Sequence, residues 1–242
     1  MITEIRIFFA VALAPVILLL LFIYHKDKRS PEPIGQLFKA FGMGLLSIPI
    51  ALLLTVPLEP VVAWSSYWGE INHQIADAFF SAALPEESAK LLVLWLFLRK
   101  NKYFDEHMDG IVYAVFVSMG FAAIENILYL SSDYESFISI GISRALFSVP
   151  GHFCFAILMG YYYSLVNFSK HPLLKDKIMV LAAPVLVHGI YDAILFVSSV
   201  STWLSGILTI VFLIFCVQMW RYAKRRIDDH LKRDWGEQRP AH

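Results

Sequence analysis

The sequence predicts an all-α polytopic membrane protein of about seven transmembrane helices, with the N-terminus outside and the C-terminus cytoplasmic. Three observations carry that prediction. The chain is 58% hydrophobic with a mean hydropathy of +0.61, well beyond the balance of a soluble domain. Apolar stretches of twenty or so residues recur, each long enough to cross about 30 Å of hydrocarbon. Basic residues gather in every second connection between those stretches. Acids and bases balance at 20 each, so no charge excess points to a nucleic-acid partner. Cys154 and Cys216 both fall inside apolar stretches, which excludes a readable disulfide framework or cysteine zinc site.

Residues 5–24 form the first span. Glu4 precedes it, Lys26, Lys28 and Arg29 follow it, and no small-residue cleavage site appears, so it reads as an anchor rather than a secretory signal. Ser30-Pro31-Glu32-Pro33 is a short extended linker, because each proline disfavours helix in the residue before it. Residues 36–56 are the second span. Residues 58–76 mix Glu59, Glu70, Asn72 and His73 with Trp64, Tyr67 and Trp68, a composition that belongs at the membrane interface, as a loop or a lying helix. The third span runs to Leu98 and the fourth over 110–130. Residues 137–168 are too long for one straight crossing; a lead-in helix bent at Pro150 into the fifth span is expected. The sixth span is 178–197 and the seventh 203–220, followed by a basic polar tail. The chain is thus a single integral membrane domain, 1–242, with an N-terminal two-helix segment (5–58), a helix core (76–198), and a last helix with its tail (203–242).

The loops after spans one, three and five, together with the tail as far as Arg239, hold sixteen of the twenty bases. By the positive-inside rule that side is cytoplasmic.

Inside the spans, polar residues stand out. Pro85-Glu86-Glu87-Ser88-Ala89-Lys90 places three charges in an apolar helix, with Lys90 at i,i+3 from Glu87 and i,i+4 from Glu86. A charge in hydrocarbon costs at least roughly 2.5 kcal/mol, so it persists where it is paired or where it works. A helix-locking salt bridge accounts for one glutamate but not for two. The fourth span adds Glu125, an acid with no partner in its own helix, and Asn126. The fifth adds His152, and the sixth adds His188 and Asp192, which share a face at i,i+4. At 1.5 Å per residue, all these groups fall in one slab in the middle to outer part of the bilayer. Arg144 can reach either Glu125 or a substrate carboxylate. Taken singly, each residue has a plainer role as interhelical hydrogen bonder. Together, two histidines and four acids in one slab require hydration, mutual pairing or a metal.

These motifs resemble the PrsW intramembrane proteases, within the broader CAAX-protease superfamily. The family's pattern of EExxK, FxxxEN, a lone His and HxxxD on four successive helices is matched by Glu86 to Lys90, Phe121 to Asn126, His152, and His188 to Asp192. The superfamily's prenyl-protein endopeptidases carry FxxxH where this chain has Glu125, which disfavours a CAAX substrate. The resemblance implies a protease of the bacterial plasma membrane that makes a site-1 cut in a single-span membrane protein, an anti-sigma factor, during an envelope-stress response.

The expected catalytic residues are Glu86, Glu87, His152 and His188, supported by Lys90, Glu125, Asn126 and Asp192. Either glutamate could be the general base. His152, His188 and Glu86 could ligate Zn2+, or the histidines could act without metal as donors to an oxyanion. Lys90 is expected to hold Glu87 and leave Glu86 free, and Asp192 to fix the tautomer of His188. Two other classes fit buried Glu, His and Asp. A proton or metal-ion transporter would use them as a relay, although no internal repeat is present. A non-catalytic scaffold like the seven-span subunit of gamma-secretase would keep polar residues without cleaving.

The orientation has a direct test. In a background lacking Cys154 and Cys216, single cysteines at Asn101 and Asp133 should label from opposite faces with an impermeant thiol reagent, Asp133 from outside. Labelling of both from outside overturns the seven-span arrangement.

Overall fold

A computed structural model describes residues 2–237, and among these the chain is helical with short connections. Arg239, counted above with the tail, lies outside the described residues. The helices are α1 (Ile2–Lys26), α2 (Ile34–Thr55), α3 (Glu59–Ser65), α4 (Glu70–Asp77), α5 (Leu84–Leu98), α6 (His107–Ser132), α7 (Phe137–Leu146), α8 (Ser148–Phe168), α9 (Leu174–Val200) and α10 (Thr202–Glu237). A π-helical segment, Ala78–Ala83, joins α4 to α5 without a break.

Six helical stretches are long and apolar enough to cross a membrane. The run 70–98 is as long, but Glu86, Glu87 and Lys90 interrupt its apolar surface. It packs between α2, α6 and α9, giving seven long helical stretches. The protein is therefore an all-α polytopic membrane protein.

α6 is the centre. It is apolar on every face and most of its residues are buried, the pattern of a helix enclosed by others. α8 and α2 pack most closely on it, with α1, α5, α7 and α10 completing the ring. Close approach is set by glycines: a Cβ on Gly44 would strike the carbonyl of Val117, and one on Gly120 the carbonyl of Phe41. Small residues at such crossings let backbones meet where lipid offers no hydrophobic drive to associate.

Three local expectations are refined. The 58–76 stretch is a pair of short helices turned at Gly69, whose φ of 100° is left-handed, and Trp64, Tyr67 and Trp68 point outward. The break before the fifth span is at Phe147, not Pro150. Proline lacks the N–H that an ongoing helix would bond to residue i−4, so it is accommodated in the first turn of α8 and the chain breaks just upstream. The basic tail is not a separate coil but the continuation of α10. It is held by Asp234 against the backbone N–H groups of His107 and Met108 (2.9 Å each) and by His230 donating to the Tyr161 carbonyl (3.1 Å).

Candidate functional site

The polar residues of α5, α6, α7, α8 and α9 meet in one connected cluster. At its centre, the Lys90 ammonium donates to Glu87 Oε1 (2.9 Å) and Glu86 Oε2 (3.2 Å), so Glu86 is not left free as expected. Both glutamates fall one helical turn or less from Lys90, and a single ammonium has three donors to share. The third goes to His152 Nδ1 at 3.2 Å. Below the ammonium lies the Phe121 ring, 3.9 Å from Nζ to its centroid, which gives the aromatic of the FxxxEN motif a cation–π role.

His152 Nε2 donates to Glu125 Oε2 (2.8 Å). With Nε2 protonated, Nδ1 carries the lone pair that faces Lys90. Glu125, which has no partner in its own helix, is paired from the next one: Arg144 on α7 donates Nη2 to Glu125 (2.6 Å) and Nε to Asn126 Oδ1 (2.6 Å). Asn126 in turn donates to the Ala12 carbonyl of α1 (2.9 Å). Arg144 therefore serves Glu125, and it also lies over the Tyr129 ring.

His188 stands between two carboxylates, with Nδ1 3.0 Å from Glu87 Oε1 and Nε2 3.1 Å from Asp192 Oδ2. Asp192 thus touches His188 as expected, but Glu87 also claims the other nitrogen. Phe155 stacks on the imidazole at 4.5 Å between centroids. A Cβ on Gly189 would strike the Phe79 ring, so the glycine after His188 admits the π-helical segment. That segment and Phe155 escape the sequence reading. An aromatic one turn after His152 is the signal that pointed to the second; a single-turn π segment has no compositional mark.

Burial separates the carboxylates. The Glu87 side chain is 0% exposed, whereas Glu86, Glu125 and Asp192 retain 16%, 16% and 15%. Glu86, Glu87, His152 and His188 each offer a ligand atom, and these atoms lie within 4.8 Å of one another. Glu87 Oε2 is buried without a hydrogen-bond partner. Imidazole with carboxylate is a zinc-type donor set. Four carboxylates (Glu86, Glu87, Glu125, Asp192) also face only two permanent cations, Lys90 and Arg144. Protons on the imidazoles or a divalent cation would offset the surplus in a low-dielectric setting. The residues present therefore fit a metal, provided that His188 Nδ1 gives up its proton to the exchange that metal binding imposes.

The sequence matches a known family over most of its length. Residues 32–219 match the family described as PrsW family intramembrane metalloprotease. The chain is 32% identical over 226 residues to "Protease PrsW" of Clostridioides difficile (strain 630), covering 92% of this chain and 91% of that one. It is 36% identical over 217 residues to that of Oceanobacillus iheyensis, covering 89% and 92%. The Bacillus subtilis (strain 168) protein is 33% identical over 216 residues, covering 88% and 91%. No solved structure matches.

The Arg144 contact generates a stability prediction. Arg144→Met strips Glu125 of its permanent counter-charge and should cost about 3 kcal/mol, the scale of breaking a buried pair from one side. Adding Glu125→Gln should recover most of that loss. Unfolding midpoints in detergent measure both, and a double variant less stable than Arg144→Met refutes the pairing.

Proposed function

The chain belongs to the PrsW family of intramembrane metalloproteases, and from that premise we propose that it makes a site-1-type cut in a single-span membrane protein, an anti-sigma factor, in regulated intramembrane proteolysis. It is a multi-pass protein of a bacterial cell membrane. The observation that carries the proposal is the single buried network in which Lys90 touches Glu86, Glu87 and His152 while Glu87 also touches His188. A structural ion pair has no use for three further titratable groups.

Glu86 is the general base. It is the partly exposed member of the EE pair, and a carboxylate in a water-poor pocket is well matched to taking a proton from the attacking water. Glu87 is the buried anchor: its Oε1 fixes both Lys90 and His188. Glu125 holds the Nε2 proton of His152 in place, so that the Nδ1 lone pair points into the cluster. Asp192 does the corresponding service at His188 Nε2. Glu86, Glu87, His152 and His188 are the residues that would hold Zn2+. When bound, that ion polarises a carbonyl and lowers the pKa of its water. The Lys90 ammonium is a positive group preset beside Glu86 and Glu87, where negative charge develops as the scissile carbonyl is attacked. After attack, the proton taken by Glu86 passes to the leaving amine.

Glu86→Gln, Glu87→Gln, His152→Ala and His188→Ala should each lower cleavage of a candidate anti-sigma factor at least roughly a hundredfold, with membrane insertion intact. A chelator should abolish cleavage, and added Zn2+ should restore it. Wild-type rates in both glutamate variants would rule out the carboxylate base, and full activity of metal-free protein would rule out the metal.

The site lies toward the ends of the helices that the base-poor connections join, so water and substrate reach it most directly from that side. A helical substrate must also unwind before its carbonyls are accessible. Mass spectrometry of the products should place the scissile bond in the extracytoplasmic juxtamembrane residues or first outer turns. A bond in the cytoplasmic half of the substrate's span contradicts this direction of access.

A further inference from the structure

Beside α8, α1 and α10 leave a groove between them that runs from Phe153, the residue after His152, to the bases at the C-terminal end of α1. Two adjoining clefts of about 140 and 490 Å³ share Phe22 and Lys26. The inner cleft is apolar. Phe22, Phe153 and Trp220 form one aromatic wall, with ring centroids 5.7 to 6.1 Å apart, and Ile157, Ala223 and Ile227 complete it.

The mouth is cationic. Lys26, Lys28, Arg29 and Lys224 line it with His25, against one carboxylate, Asp228. Among the described residues, none of these four bases forms an ion pair. Lys26 lies over Phe22 at 5.7 Å, at the edge of the aromatic wall, and Arg29 lies over the Trp235 ring at 3.8 Å in the outer cleft. The neighbouring Asp27 does not neutralise them. It is buried, and desolvation and then the Glu32 charge push its pKa up to about 8, so at neutral pH it is largely protonated.

An apolar slot that opens toward the membrane interface beneath unpaired bases is complementary to a molecule with a negative head and a hydrocarbon tail. We infer that the α1–α10 groove binds an anionic phospholipid, its acyl chain against Phe22, Phe153 and Trp220 and its phosphate at Lys26, Lys28 and Lys224. Basic pockets between helices attract acidic headgroups. The uncharged aromatic slot supplies the rest through burial of chain methylenes.

The test uses full-length protein in detergent, with phosphatidylglycerol and phosphatidylcholine of identical chains as probes. Native mass spectrometry should show one phosphatidylglycerol retained in preference to phosphatidylcholine. Lys26→Gln/Lys28→Gln/Lys224→Gln should lower that preference roughly tenfold or more, while Lys170→Gln/Lys175→Gln/Lys177→Gln, which removes three bases of the α8–α9 connection, should leave it unchanged. A second readout depends on no charge variant: brominated phosphatidylglycerol should quench tryptophan emission more than brominated phosphatidylcholine, and Trp220→Phe should remove the difference. No preference in the wild-type protein overturns the proposal. Equal loss in both triple variants also overturns it, because it identifies diffuse surface attraction instead of a site. Neither readout depends on proteolysis, so failure here leaves the catalytic proposal standing, and the reverse is also true.

Discussion

Everything in this molecule answers to one constraint: charge placed in hydrocarbon must find a partner. Lys90 is where that constraint is met. Its ammonium touches both glutamates of its own helix and the histidine of α8, so three carboxylate or imidazole groups are ordered by one cation. The chain of contacts then runs outward, from His152 to Glu125 and Arg144 on one side and from Glu87 to His188 and Asp192 on the other. Two of the helices that carry these groups, α6 and α8, are brought close by a glycine crossing at Gly110 and Gly160. Packing sets the frame and electrostatics fixes the side chains within it.

Much of this was legible from the chain. The spans follow from apolar length, and the helix ends differ from expectation by a few residues. The reaction-centre residues announce themselves because a charged residue in an apolar helix is costly enough to demand a reason. What the sequence withheld was contact across helices. Spacing shows that Lys90 can reach two glutamates, but not that its third donor goes to His152, 62 positions away. Arg144 was equally suited to a protein or a substrate carboxylate until α7 placed it 2.6 Å from Glu125. Phe147 breaks its helix without being proline or glycine, because the constraint comes from Pro150 three residues later, and the spread of a proline's effect is not fixed by sequence. The helical tail was hidden by its polarity: residues 221–237 have no apolar run, and their helix is maintained by anchors such as Asp234 on the start of α6.

The partial exposure of Glu86, Glu125 and Asp192 beside a fully buried Glu87 divides labour among chemically alike groups. A carboxylate that meets water can exchange protons with it. One sealed beneath an ammonium and an imidazole can only orient them. The EE pair thus places two carboxylates of different exposure on adjacent residues, since neighbouring positions on a helix point about 100° apart and so face different surroundings.

The helix that bears the chemistry is also the one whose composition least resembles a membrane span. Three charges at roughly 2.5 kcal/mol each set about 8 kcal/mol against insertion even on a lenient scale. Tertiary partners cannot relieve this at first, because His152 and His188 lie on helices made later. The i,i+3 and i,i+4 spacing relieves it locally: Lys90 reaches Glu87 and Glu86 within its own helix, and a neutralised pair enters the bilayer where separate charges would resist. One negative charge remains after that pairing. His188 of α9 then lies against Glu87, so the spacing that lets the helix enter the membrane still leaves a net carboxylate charge for neighbouring helices to meet.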